Sequence, residues 1–276
     1  MSRVVIIGAG WLGQPLAQSL LKQQMKVSVT KTQMAGVEML AKQGIPSFLC
    51  NLTTPDTLTE QLFQRQCDTV IGCFPPGFRR GNGDEYAHYW GNLVTHAHAA
   101  GVKKIIMISS TSVYPNLAKI MHEEDASYSL ALNNDTFTDN ARILLKAEQC
   151  VIDSGLDYVI IRCSGLFGAD RHPARFATRL KSVSSEAPAN MLHQKDAIGI
   201  TEFSLRHLSR QVINATTPNT VNKAQFYQAA LDVIGSKEPL PPINDLPDKQ
   251  IVSDKLIRLG YSFHYTNTLE ALSDNE

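Results

Sequence analysis

Near the amino terminus an apolar run, Val4-Val5-Ile6-Ile7, breaks into Gly8-Ala9-Gly10-Trp11-Leu12-Gly13 and then into a helical pattern. A β-branched strand, a G-x-G-x-x-G turn and a helix in direct succession constrain the fold more than any other stretch, because each glycine meets a separate steric demand. Gly8 lets the chain leave the strand sharply, Gly10 lets a diphosphate approach the backbone with no Cβ in the way, and Gly13 lets the helix lie close to the sheet. The unpaired N–H groups and positive dipole end of the helix then form an anion site that needs no charged side chain. Leu12, Leu16 and Leu20 share one stripe of that helix, and Pro15 is tolerated in its first turn. The pattern predicts a dinucleotide site at Gly8, Gly10, Trp11, Leu12 and Gly13; the alternative is a glycine-rich turn without a ligand.

In such folds an acidic residue about twenty positions on holds the ribose 2′-hydroxyl, whereas a cation there suits a 2′-phosphate. Here the second strand, Val27-Ser28-Val29, runs into Thr30-Lys31-Thr32, with no carboxylate. Lys31 therefore favours NADP over NAD, the alternative being a solvated loop charge.

Strands at Val4–Ile7, Val27–Val29, Ser47–Cys50, Thr69–Cys73, Ile105–Ser109 and Tyr158–Arg162 alternate with helical patterns near 12–22, 34–43, 56–64, 85–100 and 139–153. That order predicts an α/β fold, a doubly wound parallel sheet covered on both faces, with ligands beyond the carboxyl ends of the strands. Thr30, Lys31, Thr32, Asn51, Leu52, Phe74 and Pro75 stand at or just beyond those ends and join the cofactor candidates. The loop 75–83 is a candidate lid. A nucleotide domain is expected over 1–168 and a smaller substrate lobe over 169–276, with about 190–216 returning to the first domain. With 276 residues the chain is long enough for this.

The 26 basic and 26 acidic residues cancel, and no basic run points to nucleic acid or an acidic lipid surface. Five scattered cysteines without C-x-x-C fit reduced thiols. No apolar run approaches a membrane span and the first strand begins almost at once, so a cytoplasmic protein is expected. His88, His96 and His98 lie on one helix, but positions 96 and 98 point about 200° apart and no carboxylate completes a set, so no metal is expected.

The fifth strand ends in Ser109-Ser110-Thr111-Ser112-Val113-Tyr114-Pro115, a cluster of hydroxyls where a substrate would lie. With the glycine motif, with Ile160-Ile161-Arg162-Cys163-Ser164-Gly165-Leu166-Phe167-Gly168 and with Asn190-Met191-Leu192-His193-Gln194-Lys195-Asp196, the chain resembles an extended short-chain dehydrogenase/reductase over nearly its full length. That group includes nucleoside-diphosphate-sugar epimerases and dehydratases, although Cys163 stands where proline is usual. The resemblance implies a Tyr-x-x-x-Lys pair, one helical turn apart, in which tyrosine exchanges a proton with the substrate and lysine holds the nicotinamide ribose. The matching segment is Arg142-Ile143-Leu144-Leu145-Lys146. Lysine remains and tyrosine does not.

A guanidinium stays protonated and has no acceptor, so Arg142 cannot trade a proton as tyrosine does. It is left to stabilise an oxyanion, to bind a phosphate, or to serve as a solvated helix residue. The helix is expected to be capped by Asp139, to bury Ile143, Ala147 and Val151, and to end before Gly155. The resemblance makes Ser110 and Lys146 the catalytic candidates and places Thr111, Ser112, Arg142, Arg171 and Arg175 at a small-molecule substrate. Tyr114, Tyr128 and His122 are weaker candidates for a replacement acid, and His193 with Asp196 reads as a turn that positions the substrate lobe. A homodimer through the helices at 85–100 and 139–153 is compatible with the family.

Two functions follow. One is an NADP-dependent oxidoreductase or epimerase-like enzyme for a small polar or sugar-nucleotide-like substrate; the other is a non-catalytic NADP(H)-binding redox sensor.

Overall fold

A computed structural model describes residues 2–78, 81 and 83–274. Strands β1 (Arg3–Ile7), β2 (Lys26–Lys31), β3 (Ser47–Leu49), β4 (Thr69–Gly72), β5 (Lys104–Ser110), β6 (Asp157–Cys163) and β7 (Gln211–Ala215) form one sheet. Its order is β7-β6-β5-β4-β1-β2-β3, with every neighbouring pair parallel. The doubly wound α/β architecture read from the sequence is thus the observed one, and β7 is a strand that the alternation pattern did not include. The order reverses beside β1, so the chain leaving β1 opens the crevice where such sheets bind ligands.

Alternation along the strands divides the core. Val4 and Ile6 pack on one face with Leu16 and Leu20 of α1 (Gly13–Lys22) and Leu40 of α2 (Met34–Lys42). Val5 and Ile7 pack on the other with Leu62 of α3 (Leu58–Gln64), Trp90 and Leu93 of α4 (Tyr86–Ala99), and Leu144 of α5 (Asp139–Ile152). The period of two and burial on both sides explain the unbroken Val/Ile runs.

α5 is capped by Thr138, whose hydroxyl accepts from the Ala141 N–H at 3.1 Å, and not by Asp139. Thr138 has the extended backbone of a cap, whereas Asp139 is already helical. The buried stripe of α5 runs through Ala141, Leu144, Leu145, Ala147, Glu148 and Val151, with Ile143 only half-buried.

After β6 the chain builds short parallel pairs, Gly165–Phe167 with Met191–His193 and Val183–Ser184 with Ile243–Asn244. A separate apolar cluster around Phe167, Phe226 and Leu272 includes α7 (Lys223–Val233). Between the strand Met191–His193 and α7 in the chain, α6 (Gln194–His207) turns back onto the sheet, where Glu202 accepts from Ser19 of α1 at 2.6 Å.

Gly72 shows how tightly the sheet is packed below the crevice. A Cβ built there would stand 2.2 Å from Cη2 of the buried Trp90. Gly72→Ala is expected to cost about 1–3 kcal/mol through overpacking, read as a lower denaturant midpoint with an unchanged slope.

Candidate nucleotide and substrate site

The three glycines differ as their positions demand. Gly8 has φ +100°, and a Cβ on it would lie 3.1 Å from the Phe74 nitrogen. A Cβ on Gly13 would lie 2.2 Å from the Gly8 carbonyl oxygen. Around Gly10 there is nothing within 4 Å. Thr30, at the end of β2, holds this turn: its hydroxyl accepts from the Gly8 N–H and its carbonyl from the Ala9 N–H, both at 3.0 Å. The N–H groups of Trp11 and Leu12, at the start of α1, find no partner among the described residues. Two free donors at a helix amino end, beside open space at Gly10, make an anion cradle.

Lys31 lies next to that cradle, donating its ammonium to the Ala9 carbonyl at 2.5 Å, while Thr32 is exposed. Asn51 closes a local turn by accepting from the Thr53 N–H at 3.1 Å, and the carbonyl of the buried Leu52 accepts from Asn92 at 2.8 Å. Phe74 packs 4.8 Å from Trp90 and 5.7 Å from Tyr86, followed by an exposed Pro75. In the expected lid, Arg79, Arg80 and Asn82 lie outside the described residues.

Where β5 ends, the Ser110 hydroxyl accepts from the Ser112 N–H at 3.1 Å and contacts the Ser112 hydroxyl at 3.0 Å, capping the turn Thr111–Val113. Thr111 and Ser112 then form one wall of a cavity of about 200 Å³. Asn190, Met191, Lys223, Tyr227, Asp248 and Lys249 also line it. Lys223 pairs with Asp248 at 2.7 Å. The Lys249 ammonium reaches the Asn116 side-chain oxygen at 3.2 Å and the Tyr114 carbonyl at 3.4 Å. Burial lowers the pKa of Lys249, partly offset by Asp248. No sequence pattern singled out Lys223, Tyr227, Asp248 or Lys249. A larger cavity, about 310 Å³, opens among Arg3, Lys26 and Arg65 at the amino ends of the strands, away from the crevice.

The three arginines expected at the substrate each have local partners. Arg142 donates to the Ala131 carbonyl at 2.9 Å, the Asn134 carbonyl at 3.0 Å and Asp139 at 2.8 Å, stapling the segment 131–139 to α5. Arg171 sits over the Trp11 ring at 5.6 Å, beside the glycine turn, and Arg175 donates to the Asp170 carbonyl at 2.7 Å. None of the three lines the cavity. Lys146 is exposed on α5, with no hydrogen bond or ion pair among the described residues. His193 caps α6, its Nδ1 accepting from the Lys195 N–H at 3.2 Å, and burial lowers its pKa to about 4, so the ring is neutral at ordinary pH. Asp196 accepts from the N–H groups of His264 at 2.7 Å and Tyr265 at 3.1 Å, anchoring the carboxyl-terminal segment.

Tyr114 is buried in a network that sequence reasoning missed. Arg162 of β6 and Glu148 of α5 pair at 2.7 Å with side-chain exposures of 3% and 2%. The guanidinium also donates to the Tyr114 hydroxyl at 3.1 Å and to the carbonyls of Glu123 and Ala126, both at 2.9 Å. With its Nε on the Glu148 carboxylate at 3.2 Å, every N–H of Arg162 is engaged. Burial alone opposes the charge, but Glu148 and Tyr114 outweigh it and hold the Arg162 pKa above its ordinary value. Ser109 donates to Glu148 at 2.5 Å and Tyr114 to Asn214 at 2.5 Å, while burial pushes the Tyr114 phenol up to about 12. The phenol is therefore a structural donor beneath the site.

The glycine turn and the doubly wound parallel sheet together define a Rossmann-like α/β fold. The chain belongs to the NAD(P)H-binding family, whose model matches residues 8–190. It is 30% identical to Protein YeeZ of Escherichia coli K12 over 98% of each chain. Its fold is that of a dTDP-glucose 4,6-dehydratase from Bacillus anthracis solved with NAD (TM-score 0.79, 13% identity, 100% of this chain and 95% of that one). It also matches the Bordetella bronchiseptica enzyme WbmH solved with NAD⁺ (TM-score 0.78, 18% identity, 99% and 96% of the chains). A third match is the UDP-glucose 4-epimerase of Thermotoga maritima solved with UDP-glucose (TM-score 0.77, 14% identity, 98% and 96%). Among the described residues no helix is long and apolar enough to cross a membrane.

Proposed function

We propose that the chain is an NADP-dependent oxidoreductase or epimerase-like enzyme for a small polar substrate. The observation that carries this reading is the pair of N–H groups, on Trp11 and Leu12, without a partner among the described residues and next in the chain to the open space at Gly10, with the Lys31 ammonium on the Ala9 carbonyl and no carboxylate at the end of β2. A bound nicotinamide cofactor supplies hydride chemistry. The glycine turn holds its diphosphate, Lys31 its 2′-phosphate, and Lys146 its nicotinamide ribose, while Ser110, Thr111 and Ser112 orient the substrate oxygen. The fold relatives solved with NAD support a nicotinamide cofactor, and Lys31 supports the phosphorylated form.

Fluorescence titration tests this directly. NADPH is expected to bind more tightly than NADH, and Lys31→Asp to reverse the preference, with NADPH weakened by about ten- to a hundredfold, the worth of one charge-assisted contact. Equal binding of both nucleotides by the unaltered protein overturns the role of Lys31. Failure of either to bind at millimolar concentration overturns the whole reading.

Arg142 supports a second reading, a redox sensor, because the position that carries tyrosine in the family holds a guanidinium already bonded to Ala131, Asn134 and Asp139. A sensor distinguishes NADPH from NADP⁺ in affinity, since only differential binding shifts a conformational equilibrium, and turns over nothing. An enzyme transfers hydride.

A further inference from the structure

We propose that the cavity between the end of β5 and the carboxyl-terminal lobe takes a small molecule bearing one oxyanion group, a carboxylate or a phosphate, held by Lys249 with Lys223. This deepens the enzyme reading given above and rests on it for the word substrate, although binding of the anion is measured independently.

The argument begins with charge. Lys223, Asp248 and Lys249 are the charged groups that line the cavity and leave it with one net positive charge, while Tyr227, whose phenol burial pushes up, lines it as a neutral group. Asp248 is already committed, accepting from the Lys223 ammonium at 2.7 Å and from the Lys249 main-chain N–H at 2.8 Å. The Lys249 ammonium has only neutral oxygens in contact, at 3.2 and 3.4 Å, which are long for an N–H donor. A half-buried ammonium held loosely by neutral acceptors and facing a cavity gains most from an oxyanion, which restores the counter-charge lost on burial. Burial lowers the pKa of Lys249, with Lys223 acting in the same direction, which is the cost that an arriving anion would reverse.

The lining sets the rest of the ligand. Thr111 and Ser112 line the same cavity as the two lysines, so a molecule filling it presents its anion to Lys249 and Lys223 and a neutral oxygen to the hydroxyls at the strand end. Pockets for drug-sized ligands run to about 300–1,000 Å³. This cavity, at about 200 Å³, is below that range and fits a compact acid or phosphate ester better than a nucleotide sugar.

Reductive ¹³C-methylation keeps each lysine charged and gives it an NMR signal, and Lys249→Gln identifies the signal that matters. With NADPH-saturated protein, inorganic phosphate or acetate is expected to move the Lys249 signal saturably and to raise the pH at which it titrates, whereas glycerol does neither. Lys223→Gln is expected to weaken that response by about tenfold, as loss of one charged partner. NADPH affinity, followed by fluorescence, stays unchanged in Lys249→Gln, so failure here is separable from failure of the dinucleotide reading. A Lys249 signal indifferent to both anions overturns the proposal. So does a response to glycerol, or UDP-glucose binding more than about tenfold tighter than phosphate.

Discussion

Gly10→Ala is expected to remove most NADPH affinity while leaving the melting temperature where it was. The two halves of that result come from one measurement of space. A methyl group at position 10 meets no protein atom within 4 Å, and Gly10 is not among the residues with positive φ, so alanine fits the folded backbone. On stability the change is neutral or favourable by up to about 1 kcal/mol, because alanine restricts the unfolded chain. The same methyl would fill the open space at Gly10 through which the proposed diphosphate approaches the Trp11 and Leu12 N–H groups. Losing two hydrogen bonds to a charged diphosphate is worth about 3 kcal/mol or more, which is about a hundredfold in affinity. Gly13→Ala provides the contrast, since its Cβ would stand 2.2 Å from the Gly8 oxygen and must displace the turn itself, lowering stability and affinity together. Titration with NADPH beside a thermal melt separates the two variants, and a Gly10→Ala protein that binds like the parent sinks the placement of the diphosphate.

The glycine turn was legible because its constraints are local. Strand, turn and helix are consecutive, and the demand for glycine at 8, 10 and 13 is written in backbone sterics that neighbours in sequence decide. The same holds for six strands of the sheet and the five crossover helices, where period and length suffice. The substrate side was less legible for the opposite reason. Lys223 opens α7 and Lys249 lies in the loop just before the two-residue strand Gln250–Ile251, so no shared periodicity marks them as neighbours. Arg142, Arg171 and Arg175 were read by residue type and position in a motif, yet side-chain direction and nearby carbonyls decided where their guanidinium groups went. One signal was present and unused. Glu148 follows Leu144 by four and Leu145 by three, which puts a carboxylate on the apolar stripe of α5, and Arg162 interrupts a fully buried run in β6. A charge on each of two buried surfaces implies that they meet.

That meeting carries the second large effect. Arg162→Met is expected to destabilise the protein by about 3–5 kcal/mol, because it strands the Glu148 carboxylate in a site from which water is excluded. Four segments lose a donor at once: Glu148 on α5, Tyr114 beyond β5, and the carbonyls of Glu123 and Ala126. Replacing both partners, as Arg162→Met with Glu148→Leu, is expected to recover much of the loss, since an apolar pair of similar volume needs neither desolvation nor counter-charge. The recovery has a limit that the geometry sets. Tyr114 still donates to Asn214, but the Ser109 hydroxyl loses its acceptor and the carbonyls of Glu123 and Ala126 lose the guanidinium, so the double variant remains below the parent. Denaturant melts of the parent, both single variants and the double variant close the cycle. A single Arg162→Met change costing less than about 1 kcal/mol would mean that water or rearranged backbone reaches Glu148, and the network would then be no anchor for the strand end that carries Ser110. If the cost is as large as argued, the pair fixes α5 against β5 and β6, and with it the distance between Ser110 and Lys146, the two groups proposed above to hold the substrate oxygen and the nicotinamide ribose.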